Sequence, residues 1–230
     1  MEESSLTTGI ECVLFDLDGT LVDTAADFQL VLDKMLDQAG MQQVAADRIH
    51  QTVSDGARAL IKLGFGLQEH DAEFQARLQQ LLDMYFEQLS DTRAQPYPGI
   101  LSLLDKLENA GVPWGIVTNK PEKYSQRLLD QLQLLKRCGT LVCPDHVARG
   151  KPDPEALLLA CQQLDRDTER TVYVGDHLRD MQAAKNADII AVAAAYGYLK
   201  VDTRIEEWPA DFVINTATDL EPLLKILQFA

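Results

Sequence analysis

Apolar and polar positions along the chain follow two alternating rhythms. Short aliphatic, β-rich runs occur at 12–15, 114–118, 141–143, 171–174, 189–193 and 212–214. They are apolar throughout rather than alternating, which predicts strands buried on both faces. Between most of them, apolar residues recur at helical spacing. Ile100, Leu103, Leu104 and Leu107 form one stripe, stopped by Gly111. Leu157, Leu158, Cys161 and Leu164 form another, opened by Asp153 as N-cap and Pro154 at the first helical position. Strand–helix–strand alternation predicts an α/β fold: a Rossmann-like open parallel sheet with helices on both faces.

From 23 to 95 the strand rhythm stops and only helical spacing remains. Phe28, Val31, Leu32, Met35 and Leu36 share one face. Phe74, Leu78, Leu81, Leu82, Tyr85, Phe86 and Leu89 share another. Between them, Ser54-Asp55-Gly56-Ala57-Arg58 reads as a turn into a short helix ended by Gly64 and Gly66, and Pro96-Tyr97-Pro98-Gly99 punctuates the return to strands. The expected organisation is an α/β core of residues 1–22 and 96–230, with an all-helical cap domain, 23–95, inserted after the first strand. Such a cap would stand over the carboxyl ends of the strands, where open α/β sheets bind ligands.

A formal net charge of −15 over 230 residues makes nucleic acid and anionic membrane surfaces unsuitable partners. Any phosphorylated ligand would need a local positive site or a bound cation. No run approaches the roughly 18 apolar residues of a membrane span. The polar, acidic start at Met1–Gly9 lacks the basic and apolar segments of a signal peptide. Cys12, Cys138, Cys143 and Cys161 form no C-x-x-C pair and have apolar neighbours, as expected of reduced thiols in a cytoplasmic protein.

Chemistry-bearing residues cluster at or just beyond the predicted strand ends. Asp16-Leu17-Asp18-Gly19-Thr20 places two carboxylates two residues apart, on one side of an extended chain. Thr118-Asn119 offers a hydroxyl, an amide and free N–H groups near a helix start, suited to phosphate oxygens. Lys151, before Pro152, offers an ammonium to an anion. Asp176 and Asp180, in Gly175-Asp176-His177-Leu178-Arg179-Asp180, are hard oxygen ligands of the kind Mg²⁺ takes. A bare D-x-D would read as a solvated turn, but D-x-D-G-T directly after an apolar strand is far more specific. Each of the other three signals alone is weak, with a helix cap or a surface lysine as the ordinary explanation; parallel strands would bring all four to one crevice.

In this order, D-x-D-G-T, an apolar strand ending in Thr-Asn, Lys-Pro and G-D-x-x-x-D resemble the four motifs of the haloacid dehalogenase superfamily. Gly19-Thr20-Leu21-Val22-Asp23-Thr24 is similar to the phosphoglycolate phosphatase-type branch. The stretches 142–147 and 150–155 look closer still to bacterial N-acetylmuramic acid 6-phosphate phosphatases. The resemblance implies a Mg²⁺-dependent small-molecule phosphomonoesterase, phosphoglycolate phosphatase-like, with cell-wall amino-sugar recycling as the alternative. It implies Asp16 as nucleophile and Asp18 as acid and base. Thr118, Asn119 and Lys151 would hold the phosphoryl group. Asp16, the Asp18 carbonyl, Asp176 and Asp180 would lie around the metal, Asp180 as ligand or support. A dehalogenase would lack the acid at position 18. A sugar phosphomutase of this fold usually reads D-G-V-I-x-D where this chain has Asp-Gly-Thr-Leu-Val-Asp, and ranks lower. Arg58 is the candidate for a carboxylate on the substrate. His177 and Arg179 are expected at the surface, as are Lys34 and Lys62. Monomer and homodimer stay equally open.

Overall fold

The computed structural model describes residues 9–229. Residues 1–8, where the polar start was expected, lie outside the described residues. Six strands form one parallel sheet: β1 (Cys12–Phe15), β4 (Trp114–Val117), β5 (Thr140–Val142), β6 (Thr171–Gly175), β7 (Ile190–Ala194) and β8 (Phe212–Ile214). Their order is β5-β4-β1-β6-β7-β8. All six predicted strands are present, within a residue at each end. Two further strands, β2 (Val22–Asp23) and β3 (Gln95–Pro96), pair antiparallel as a separate ribbon. Two residues are too short to leave a period in the sequence.

Alternate side chains of β1 enter different cores: Val13 and Phe15 face one layer, Cys12 and Leu14 the other. Helices α5 (Ile100–Asn109), α6 (Glu122–Gln131) and α9 (Leu220–Phe229) cover the first face. Helices α7 (Glu155–Leu164) and α8 (Leu178–Asn186) cover the second. The predicted fold class is therefore the observed one. Asp153 precedes α7 rather than opening it directly: its Oδ1 accepts the Glu155 N–H at 3.1 Å, and Pro154 occupies the cap position.

Between β2 and β3 the described chain is helical: α1 (Ala25–Gln38), α2 (Ala46–His50), α3 (Ala57–Phe65) and α4 (Phe74–Gln88), with short 3-10 turns at Val53–Asp55 and Leu89–Asp91. The predicted apolar face of α1 is buried throughout. Gly64 does not end α3 but lies inside it. A Cβ there would stand 2.8 Å from Leu32 Cδ1, so the buried Leu32 side chain would have to shift. Gly66, in the left-handed region at φ 68°, is the actual stop. Apolar side chains of the insert form one cluster with the adjoining face of the sheet.

The topology decides where chemistry can happen. Strand β1 is central, with β4 on one side and β6 on the other, and the chain winds away in opposite directions from it. Phe15 stands level with Ile116 of β4 and Val174 of β6. The residues that leave these three strands emerge side by side at this switch point.

Candidate active site

Asp16 leaves the end of β1, its N–H bonded to the Val174 carbonyl at 2.8 Å. Its carboxylate is nearly buried and lies 2.9 Å from the Lys151 ammonium. Lys151 is fully enclosed and also stands 2.8 Å from Asp180 Oδ1. Its remaining contacts are the Val117 carbonyl at 3.0 Å and the Tyr173 hydroxyl at 2.7 Å. A lysine read from sequence as a surface residue in the ordinary case is thus a buried cation between two carboxylates.

Asp176 completes the cluster. Asp16, Asp176 and Asp180 each bring a carboxylate oxygen within 4.8 Å of the others. Burial first, and then the Asp16 and Asp180 charges, push the Asp176 pKa up to about 7. Burial likewise raises Asp16, against the opposing pull of Lys151. Three buried carboxylates against one lysine leave an excess of negative charge that a divalent cation would offset, and hard carboxylate oxygens are the donors such an ion takes. These residues therefore fit Mg²⁺.

Local backbone explains the crowding. Gly19, at φ 82°, lets the chain turn beneath Asp176, and a Cβ there would lie 2.2 Å from Asp176 Oδ2. Asp176 precedes α8, and Asp180 lies in its first turn. His177 is the N-cap, its Nδ1 accepting the Arg179 N–H at 3.2 Å, and Asp180 Oδ2 accepts the His177 N–H at 2.9 Å. Asp180 Oδ1 faces Lys151 and the Tyr173 hydroxyl, so both Asp180 oxygens are engaged.

Thr118 and Asn119 stand where expected, after β4, but Asn119 is already committed. Its Oδ1 accepts the Lys151 N–H and its Nδ2 donates to the Lys151 carbonyl, both at 3.0 Å. It locks the two loops together. The Thr118 hydroxyl accepts the Lys120 N–H at 3.1 Å.

A cavity of about 250 Å³ opens over the cluster, lined by Asp16, Asp18, Thr118 and Asn119 from the sheet end. Phe28, Ser54, Leu82 and Tyr85 line it from the insert. Arg58 is not brought into this cavity. It pairs with Glu69 at 3.2 Å, stands over the Phe74 ring and is half exposed. The cavity's cations are Lys120 and Arg179. Arg179, expected at the surface, donates to the Ser54 carbonyl, while its buried Nε has no hydrogen-bond partner among the described residues. His177 lies 3.5 Å from Asp55, which Lys200 also meets at 2.9 Å. His177 and Arg179 thus both face the insert, which sequence periodicity could not place over them. Ser54 Oγ donates to Asp176 Oδ2 at 2.8 Å.

Lys120, Tyr85, Phe28 and Ser54 were missed. Tyr85 and Phe28 were counted only as an apolar helix face. A signal for Lys120 existed: it follows Thr118-Asn119 directly and precedes the proline that opens the next helix.

The fold and this acidic cluster define a class of enzyme. Residues 13–194 match the haloacid dehalogenase-like hydrolases, and the chain belongs to that family. Among its relatives is the N-acetylmuramic acid 6-phosphate phosphatase of Pseudomonas aeruginosa, 40% identical over 94% of this chain and 95% of that protein. A phosphoglycolate phosphatase of Xanthomonas campestris is 38% identical over 90% of this chain and 93% of its own length. In fold, a predicted phosphoglycolate phosphatase from Haemophilus somnus superimposes with a TM-score of 0.81, covering 93% of this chain and 97% of that one at 23% identity.

Proposed function

We propose that this protein is a Mg²⁺-dependent phosphomonoesterase of the cytoplasm that acts through an aspartyl-phosphate on Asp16. The observation that carries this is the buried Asp16–Lys151–Asp180 ion cluster with Asp176 beside it at the switch point. Phosphoryl transfer is promoted chiefly by positioning and neutralisation of charge. Among the described residues, few surroundings other than an anion and a cation would suit this arrangement.

Asp16 and Asp176, with the Asp18 carbonyl, would hold the ion. When bound, Mg²⁺ supplies positive charge beside the phosphoryl oxygens and opposes the carboxylates' mutual repulsion. Asp180 supports from behind, since its oxygens already hold Lys151 and the His177 N–H. Asp16 attacks phosphorus while Lys151 and the Thr118 hydroxyl hold phosphoryl oxygens. Asn119 keeps Lys151 in place. Asp18 gives a proton to the leaving oxygen and later takes one from the attacking water. Residues 23–95 act as a cap that excludes water, closing on the 1–22 and 96–230 core through Ser54, Asp55 and Tyr85.

The substrate is a small phosphomonoester that also carries a carboxylate. N-Acetylmuramic acid 6-phosphate is favoured over phosphoglycolate, because Phe28, Val53, Leu82, Tyr85 and Tyr124 offer more apolar wall than a two-carbon acid can cover. Both readings draw on relatives named for those activities. Phosphate release from the two compounds, measured side by side with Mg²⁺ and with chelator, is the test. A kcat/KM at least tenfold higher for the amino-sugar acid, abolished by chelator, is expected. A preference for phosphoglycolate would reverse the substrate assignment. No release from any phosphomonoester would remove the function.

A further inference from the structure

We infer that Lys120 is a positioning residue for Asp18, and that the helical insert, through Tyr85, holds Lys120 in place for that task. This rests on the reading of Asp18 as the acid and base of phosphoester hydrolysis. Asp18 Oδ1 accepts two hydrogen bonds, from the Thr24 hydroxyl at 2.6 Å and from Lys120 Nζ at 2.8 Å. Asp18 Oδ2 has no hydrogen-bond partner among the described residues. One oxygen is tethered and the other is left to carry a proton.

Lys120 is well fixed for this role. Its N–H is bonded to Thr118 Oγ1 and its carbonyl accepts from Ser125 Oγ at 3.2 Å. Its ammonium also donates to the Tyr85 hydroxyl at 2.8 Å, and lies 4.6 Å from the Tyr85 ring centroid and 5.0 Å from that of Phe28. Those rings stack in parallel, 4.1 Å apart. The lysine side chain is only 7% exposed. Burial alone would lower its pKa, but the Asp18 carboxylate and the Tyr85 hydroxyl together reverse this and the net shift is upward.

Tyr85 and Phe28 belong to α4 and α1, so the support comes from the insert, while Lys120 and Asp18 come from strand ends. The bonds change as follows. As an Asp16 oxygen bonds to phosphorus, the ester P–O bond breaks and its electron pair stays on the leaving oxygen, which takes the proton from Asp18 Oδ2. In the second half, a water oxygen bonds to phosphorus, the P–O bond to Asp16 breaks, and the water proton goes to Asp18 Oδ2. Both transfers need Oδ2 within hydrogen-bond reach of the moving oxygen. A carboxylate free to swing by about 1 Å forfeits up to roughly 10²-fold. An alkoxide leaving group is thus released efficiently only while the insert is seated.

The experiment compares kcat and KM for N-acetylmuramic acid 6-phosphate, an alkyl ester, with those for 4-nitrophenyl phosphate, whose phenolate leaves without needing a proton. Asp18→Asn serves as the benchmark, alongside Lys120→Met and Tyr85→Phe. Lys120→Met should lower kcat/KM for the alkyl ester roughly 10- to 100-fold, mostly in kcat, and for the aryl ester about tenfold less. Tyr85→Phe, which keeps the stacked ring, should show the same split at roughly 3- to 10-fold, and carries the test if the lysine variant does not fold. If Asp18→Asn shows the split and both other variants lower the two esters equally, or act in KM alone, the inference is overturned. If Asp18→Asn itself shows no split, the reading of Asp18 falls instead.

Discussion

Two lysines near the site sit under opposite regimes: Lys120 lines the cavity, and Lys151 lies buried behind it. Lys151 is sealed between Asp16 and Asp180 at the end of the sheet, with the Val117 carbonyl and Tyr173 hydroxyl completing its contacts. Lys120 lies against two aromatic rings of the insert and meets a single carboxylate. The first arrangement draws its partners from the sheet and α8, and none from the helical insert. The second needs both parts of the chain. Groups that hold a phosphoryl can be set permanently, whereas groups that handle the leaving portion must let it enter and leave.

Removing the centre of the first arrangement should have the largest effect. On the proposed aspartyl-phosphate route, Asp16→Asn should lower kcat roughly 10⁴-fold or more with the fold intact, because it removes the attacking carboxylate. Lys151→Met should lower kcat roughly 10²- to 10³-fold. It should also reduce stability by about 3–5 kcal/mol, because two buried carboxylates lose their shared cation. Steady-state kinetics and urea unfolding check both. A stable, active Lys151→Met protein would erase the contrast between the two lysines.

The same cluster makes a pH-dependent prediction for the metal-free protein. Asp176 rises from an ordinary 3.8 to about 7 in the folded state. Between those values the folded chain holds a proton that the unfolded chain has released, so stability falls as pH rises through this window. Without divalent ions the Tm should drop by roughly 5 °C or more from pH 5 to pH 8. Mg²⁺ should restore it most strongly at pH 8. A metal-free Tm that rises across this range would contradict the buried-carboxylate account.

The smallest effect is expected at Arg58. It pairs with Glu69 outside the cavity, so Arg58→Ala should change KM less than about twofold. A tenfold rise in KM would return it to the substrate site.

Much of this was legible in the chain. Apolar runs marked all six core strands because a strand buried on both faces has no polar alternative. Asp16, Asp18, Lys151, Asp176 and Asp180 announced themselves by standing at or beyond strand ends, and order in sequence was enough to place them together. The β2–β3 ribbon was too short to carry a period. Arg58 and Arg179 exchanged places because helical periodicity shows which face is apolar, not what lies opposite the polar one. Tyr85 illustrates the same limit: its apolar ring earned it a place in the helix stripe, while its hydroxyl acts on Lys120.

The sequence by itself therefore determined the strand set, the α/β class and the acidic and basic groups near the switch point, because these follow from local periodicity and chain order. Only the tertiary structure decided which charges pair. Lys151 between Asp16 and Asp180, Asn119 locked to Lys151, Ser54 against Asp176, and Lys120 between Asp18 and Tyr85 join residues from 29 to 135 positions apart. Such pairings are set by strand order and by how the helical insert seats on the sheet, and no local pattern carries that information.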